Sequence, residues 1–233
     1  MGEVRKKPSW RKIIGTILFV ALVLSIVFAI YKVFTAPSDP AEAMEHGRLK
    51  SDYLLMLLQC VLALIVMFIP SLILEKKLKI RVPNYIFVLY FIFLFCAVYL
   101  GEVRNFYFVV PHWDTMLHAF SGAMLGALGF SLVSMLNSSK NVAVNLSPAF
   151  VGLFAFCFAL AAGAVWEIYE FTLDSILNLN MQKAYTESGV ALVGREALLD
   201  TMKDTVVDAI GAFIMALIGT ITMKKNSKVK KTE

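Results

Sequence analysis

Charge is scarce in this 233-residue chain: 17% of its residues are Asp, Glu, Lys or Arg, against 59% hydrophobic. An ordinary soluble domain carries about 25% charged and about 45–50% apolar residues, so that class is excluded. Cysteine is scarcer still, at three residues, which rules out a disulfide-stapled secreted scaffold. Cys60, Cys96 and Cys157 all fall inside apolar runs at no metal-type spacing and read as small buried apolar residues. With 18 Phe, disorder is excluded as well. The net charge of +5 does not point to nucleic acid, because the basic residues collect at the two ends and in one turn. What remains is an integral membrane protein.

A bilayer core about 30 Å thick takes about 20 mostly apolar helical residues to cross. Six stretches qualify, at 13–34, 53–74, 84–101, 115–136, 147–169 and 205–223. The third, from Tyr85 to Leu100, is rich in strand formers. An isolated span in lipid must nevertheless be helical to satisfy its own backbone. The fold class expected is therefore all-α: a polytopic membrane protein with six transmembrane helices. Its organisation reads as a basic N-terminus (1–12), a six-helix membrane domain (13–223) and a basic tail (224–233). The first apolar run exceeds the usual h-region of about 7–15 residues, and no small-x-small site precedes Pro37, so a retained anchor is expected.

Basic residues set the orientation. Arg5, Lys6, Lys7, Arg11, Lys12, Lys76, Lys77, Lys79, Arg81, Lys140, Lys224, Lys225, Lys228, Lys230 and Lys231 make 15 of the 22, all on one side of this topology. Both termini are then cytoplasmic, in a multi-pass plasma-membrane protein. The bilayer is the expected partner, with anionic lipid at the basic termini.

The opposite face collects acids. Span three ends at Glu102 and Arg104, and span four begins with His112, Asp114 and His118. Span five runs out into Glu167, Glu170 and Asp174, and span six begins after Asp200, with Asp204 and Asp208 following. Asp114 and His118 are four apart, and Asp200, Asp204 and Asp208 repeat at the same interval, so each helix presents a stripe on one face. One turn deeper each stripe gives way to Gly122 and Gly126, Gly163 or Gly211. Small residues let transmembrane backbones approach closely, so the stripes should face one another above a tight floor, as a polar pocket open to the extracytoplasmic side.

Carboxylates gathered at a membrane boundary need protons, basic partners or a cation. Arg104 and Lys203 could balance two of them. A carboxylate cluster with one His suits a divalent ion such as Mg, Mn, Ca or Zn. No H-E-x-x-H is present, and neither is the Glu-x-x-His pair of di-iron bundles. Capping of helix N-termini accounts equally well for Asp114 and Asp200. It does not account for Glu167 and Glu170, which end a helix, or for Asp208, about three turns into one. His118 reads either as a ligand or proton carrier or as a packed core histidine. Trp10, Trp113 and Trp166 read as interface anchors, and His46 as a loop residue.

The strings Trp113-Asp114-Thr115-x-x-His118 with Gly122, Trp166-Glu167-Ile168-x-Glu170-Phe171, and Asp200-Thr201-Met202-x-Asp204-x3-Asp208-x2-Gly211-Ala212 resemble the YjdF-like bacterial inner-membrane proteins. Glu102-x-Arg104 fits the same pattern, and the resemblance covers about 85–220. It supports a shared fold and shared site residues and implies no reaction. A more distant similarity to VanZ-like membrane proteins rests on the Asp114-x3-His118 start of a span.

The leading expectation is a divalent-metal site at the outer boundary, acting on a lipid headgroup or cell-envelope substrate. Asp114, His118, Glu167, Asp204 and Asp208 would be metal ligands, His118 and Glu170 catalytic groups, and Glu102, Arg104 and Asp200 substrate contacts. A metal-bound water would supply the nucleophile. Two other classes stay open. A cation- or proton-coupled transporter would use the same acids, although no span is visibly broken by Gly or Pro and no inverted repeat is evident. An accessory or scaffold protein would use them only to lock helices together.

Overall fold

The structure, a computed structural model, describes residues 9–38, 48–77, 84–137, 145–186 and 190–232. Arg5, Lys6, Lys7, Lys79, Arg81, Lys140 and His46 lie outside them. The described residues are helical and contain no strand beyond one isolated bridge between Tyr185 and Ala191. Among the described residues there are seven α-helices, and six helical stretches are long and apolar enough to span a membrane. No more than 28% of the most apolar stretch of any span is buried within the chain, which leaves large apolar side chains exposed along every span, as a helix in contact with lipid requires.

The chain divides into two compact units, Met1–Trp113 and Asp114–Glu233. The first contains α1 (Trp10–Thr35), α2 (Lys50–Val66), α3 (Asn84–Leu94) and the single turn α4 (Phe106–Val109). Its core gathers Leu18, Leu22, Met56, Cys60 and Phe87. Arg11 forks onto the Glu75 carboxylate at 2.7 and 2.9 Å while its guanidinium lies 3.4 Å from the Phe87 ring centre. The second span was expected to be unbroken. Instead α2 loses its regular turn after Val66 and continues past Pro70 as wide π-type turns over Ser71–Lys77. Proline has no N–H to give the preceding turn, and its ring crowds that turn's carbonyl. A second π-type segment, Phe95–Val103, prolongs α3.

The second unit contains α5 (Trp113–Asn137), α6 (Pro148–Leu177) and α7 (Arg195–Thr232). Ser147 caps α6 by accepting a hydrogen bond from the Phe150 N–H, and Pro148 fills the first turn, where no amide donor is needed. Both α6 and α7 outrun their apolar stretches: α6 continues to Leu177, and α7 starts at Arg195. The connection expected over 172–200 is therefore shorter, running from Asn178 to Gly194. Hydropathy marks where lipid ends rather than where the helix ends. Cys157, expected to be buried, sits on the exposed face of α6, while Cys60 is buried.

Glycines set the spacing of this unit. A Cβ on Gly122 would run into the Asp208 backbone, and one on Gly211 into the Ala119 carbonyl, so α5 and α7 lie backbone against backbone. Gly163 of α6 leaves the space that the Asp208 carboxylate fills, since a Cβ there would stand 2.7 Å from Oδ2.

Candidate metal centre

The close approach of α5 and α7 brings their polar stripes together. Asp114 and His118 lie one turn apart on α5, and Asp204 and Asp208 one turn apart on α7. His118, Asp204 and Asp208 are all buried. Asp208 Oδ2 lies 3.1 Å from His118 Nδ1, and its Oδ1 accepts a hydrogen bond from the Ser121 hydroxyl at 3.0 Å. An ionised carboxylate only accepts, so opposite an ionised Asp208 the Nδ1–H donates, and in the neutral imidazole Nε2 is then the nitrogen without a proton.

That Nε2 faces Asp114 Oδ1 at 3.7 Å and Asp204 Oδ2 at 4.0 Å. Both separations are too long for a hydrogen bond. They suit two atoms sharing an ion: ligands about 2.0–2.2 Å from a common centre stand about 3–4 Å apart. One ligand atom from each of Asp114, His118 and Asp204 lies within 4.8 Å of the others. Among the described residues nothing hydrogen-bonds to the buried Asp204 Oδ1. Such an atom is costly unless something pairs with it.

The Asn178–Gly194 connection reaches back to this cluster. Asp174, at the end of α6, accepts hydrogen bonds from the Met181 and Gln182 amides at 2.8 and 2.9 Å. Lys183, held at the left-handed φ of 50°, places its ammonium between Asp114 and Asp200. Burial alone would favour the neutral amine. The two carboxylates outweigh it and hold the Lys183 pKa above the ordinary lysine value. Gln182 donates to the Thr201 hydroxyl at 2.9 Å and stands 3.5 Å from Glu167 Oε2. Glu167 Oε1 is, like Asp204 Oδ1, buried without a hydrogen-bond partner among the described residues.

The match to the predicted membrane protein family DUF2238 runs over residues 14–225. The chain belongs to that family. An uncharacterised protein of Thermotoga maritima is 31% identical over 120 residues, 51% of this chain and 53% of that protein. The chain thus spans about half the length of this curated relative. No solved structure matches. The DUF2238 match takes in every acid named above and supports the resemblance to YjdF-like proteins.

Of the residues singled out in the sequence, Asp114, His118 and Asp204 converge, and Asp208 takes the far nitrogen of the same imidazole. Glu170 accepts a hydrogen bond from Trp166 Nε1 at 2.9 Å, and Asp200 binds Lys183. Glu102 and Arg104 belong to the first unit, where the Glu102 carbonyl accepts from Arg48. Lys203 was expected to offset the acids, and among the described residues Lys183 forms the ion pairs. Lys183, Gln182 and Ser121 had not been singled out. The one sequence signal for Lys183 was a basic residue in an acid-flanked loop on the basic-poor side.

Proposed function

We propose that this membrane protein binds one divalent cation through Asp114 Oδ1, His118 Nε2 and Asp204, at the extracytoplasmic end of the second unit. Asp208 holds the imidazole in the tautomer that leaves Nε2 free, as carboxylates behind metal-ligating histidines do. One imidazole and two carboxylates favour Zn or Mn over Ca. The observation that carries the reading is the buried, unpartnered Asp204 Oδ1 beside an imidazole whose far nitrogen is already engaged.

Three protein ligands leave a position for water, and a cation there makes that water a nucleophile near neutral pH. The boundary position points to hydrolysis of a lipid headgroup or a cell-envelope substrate. Lys183 and Asp200 stand beside Asp114, where Lys183 offers a cationic contact for an anionic substrate group. The test is elemental analysis of detergent-purified protein, wild type beside Asp204→Asn and His118→Ala, with melting followed across added Mg, Mn, Ca and Zn. Near-stoichiometric metal, lost in both variants, is expected. No metal and no stabilisation by any ion would overturn the reading and leave a proton or structural network.

A further inference from the structure

Lys183 is a fastening as well as a charge. Asp174 ties down the start of the connection through the Met181 and Gln182 amides, and Gln182 adds its bond to Thr201 on α7. Further along, the backbone amides of Tyr185, Val190 and Leu192 bond to partners within the connection. Lys183 is what reaches α5. Its ammonium bonds Asp114 there and stands 3.0 and 3.3 Å from the two Asp200 oxygens on α7. Its backbone is left-handed, at φ 50°, a conformation that a residue with a Cβ keeps only where its surroundings hold it.

Asp114 divides its two oxygens between two positive partners. Oδ2 takes the Lys183 ammonium, and Oδ1 faces His118 Nε2 at 3.7 Å, on the side of the cation position. An ion on Oδ1 and an ammonium on Oδ2 would repel each other and draw on the same negative charge. His118 and Asp204 are buried on packed helices, whereas Lys183 hangs from a connection on a four-carbon stem, so the ammonium is the partner that can move away. We infer that a divalent cation binding at Asp114, His118 and Asp204 releases Lys183 from Asp114 and unfastens the connection from α5. This inference rests on the cation site proposed above and gives that site a control: its occupancy sets how firmly the connection is held. The freed ammonium is then available to an anionic substrate group, which orders binding, ion first and substrate second. Linkage fixes the size of the effect. If the ammonium weakens the ion about three- to tenfold, the ion weakens the fastening by the same factor.

Lys183 is the sole Lys or Arg from Asn178 to Gly194, so trypsin reads its release directly. The protease must take the lysine side chain into its own acidic pocket, and it cannot do so while Asp114 and Asp200 hold that side chain. The full chain in detergent is stripped with a chelator and digested briefly with and without added Mn or Zn. Mass spectrometry counts the product ending at Lys183, and a lysyl reporter peptide in the same digest corrects for any effect of the ion on the protease. In wild type, cleavage after Lys183 is expected to rise about three- to tenfold at saturating ion. In Asp204→Asn and His118→Ala the ion should change nothing; melting temperature identifies which of the two has folded, and either one suffices. Asp114→Asn should be cut fast from the start and should not respond to the ion. Unchanged or slower cleavage in wild type with the ion bound, or an equal rise in the folded variant, would overturn the inference. Bound metal is measured on the same samples: an ion that binds without freeing Lys183 sinks this inference alone, and wild type that binds no ion sinks the cation site with it.

Discussion

His118 Nδ1 lies 3.1 Å from Asp208 Oδ2 while the opposite ring nitrogen faces Asp114 and Asp204, so one imidazole divides its two nitrogens between a holding carboxylate and a candidate cation position. Asp208 thus acts through His118. Asp208→Asn can turn its amide NH2 towards Nδ1 and favour the tautomer that blocks Nε2. Divalent-ion affinity should fall about 10–100-fold, the usual cost of losing such a partner. Titration calorimetry reads the affinity, and imidazole nitrogen chemical shifts read the tautomer. Weakened binding with an unchanged tautomer would mean that Asp208 coordinates the ion itself.

The α5–α7 contact fixes how far apart Asp114 and Asp204 can be. Gly122→Ala and Gly211→Ala each put a methyl against backbone rather than against a flexible side chain. Each should cost about 1–3 kcal/mol, the range for overpacking a tight contact. Both act on one interface, so once one has parted the helices the second meets less resistance. The double variant should therefore cost less than the sum of the two. Thermal melting in detergent measures all three, and strict additivity would mean that the two sites relax separately.

The spans were legible because crossing lipid demands a length and a composition that hydropathy records directly. The stripe of Asp114 and His118 was legible because residues four apart share a helix face, and the glycines below forecast the close approach seen at Gly122 and Gly211. The function of each acid was less legible. Asp208 and Asp204 have the same spacing signal, and only rotamers and tautomer separate a group that holds the histidine from one that faces the cation position. Lys183 was hidden for another reason: its neighbours come from α5 and α7, and the chain must fold back from Asn178 before they meet. The π-type turns of Phe95–Val103 leave no periodic trace in a stretch that is apolar on every face until Glu102.

Lys183 and a divalent cation compete for the same negative field at Asp114. Lys183→Gln removes the resident ammonium but keeps a side chain able to hydrogen-bond. Divalent-ion affinity should rise about three- to tenfold, the scale of one partly screened charge at close range. Cleavage of the Asn178–Gly194 connection by added protease should speed up, because one of its anchors is gone. Weaker ion binding would instead place Lys183 among the groups that order the site for the ion.

The same lysine sets an alkaline limit. Its folded pKa stands above the ordinary lysine value because Asp114 and Asp200 outweigh the effect of burial. A group whose pKa is raised on folding contributes stability that is fully present below its unfolded value, about 10.4 for lysine, and lost as pH rises through the folded value. The melting difference between wild type and Lys183→Gln should therefore stay level from about pH 7 to about pH 10 and shrink only above that. A difference that already declines between about pH 7 and 9 would mean that the ammonium gives up its proton early. The two carboxylates would then not hold it, and the loop would be fastened by Asp174 and by Gln182 on Thr201.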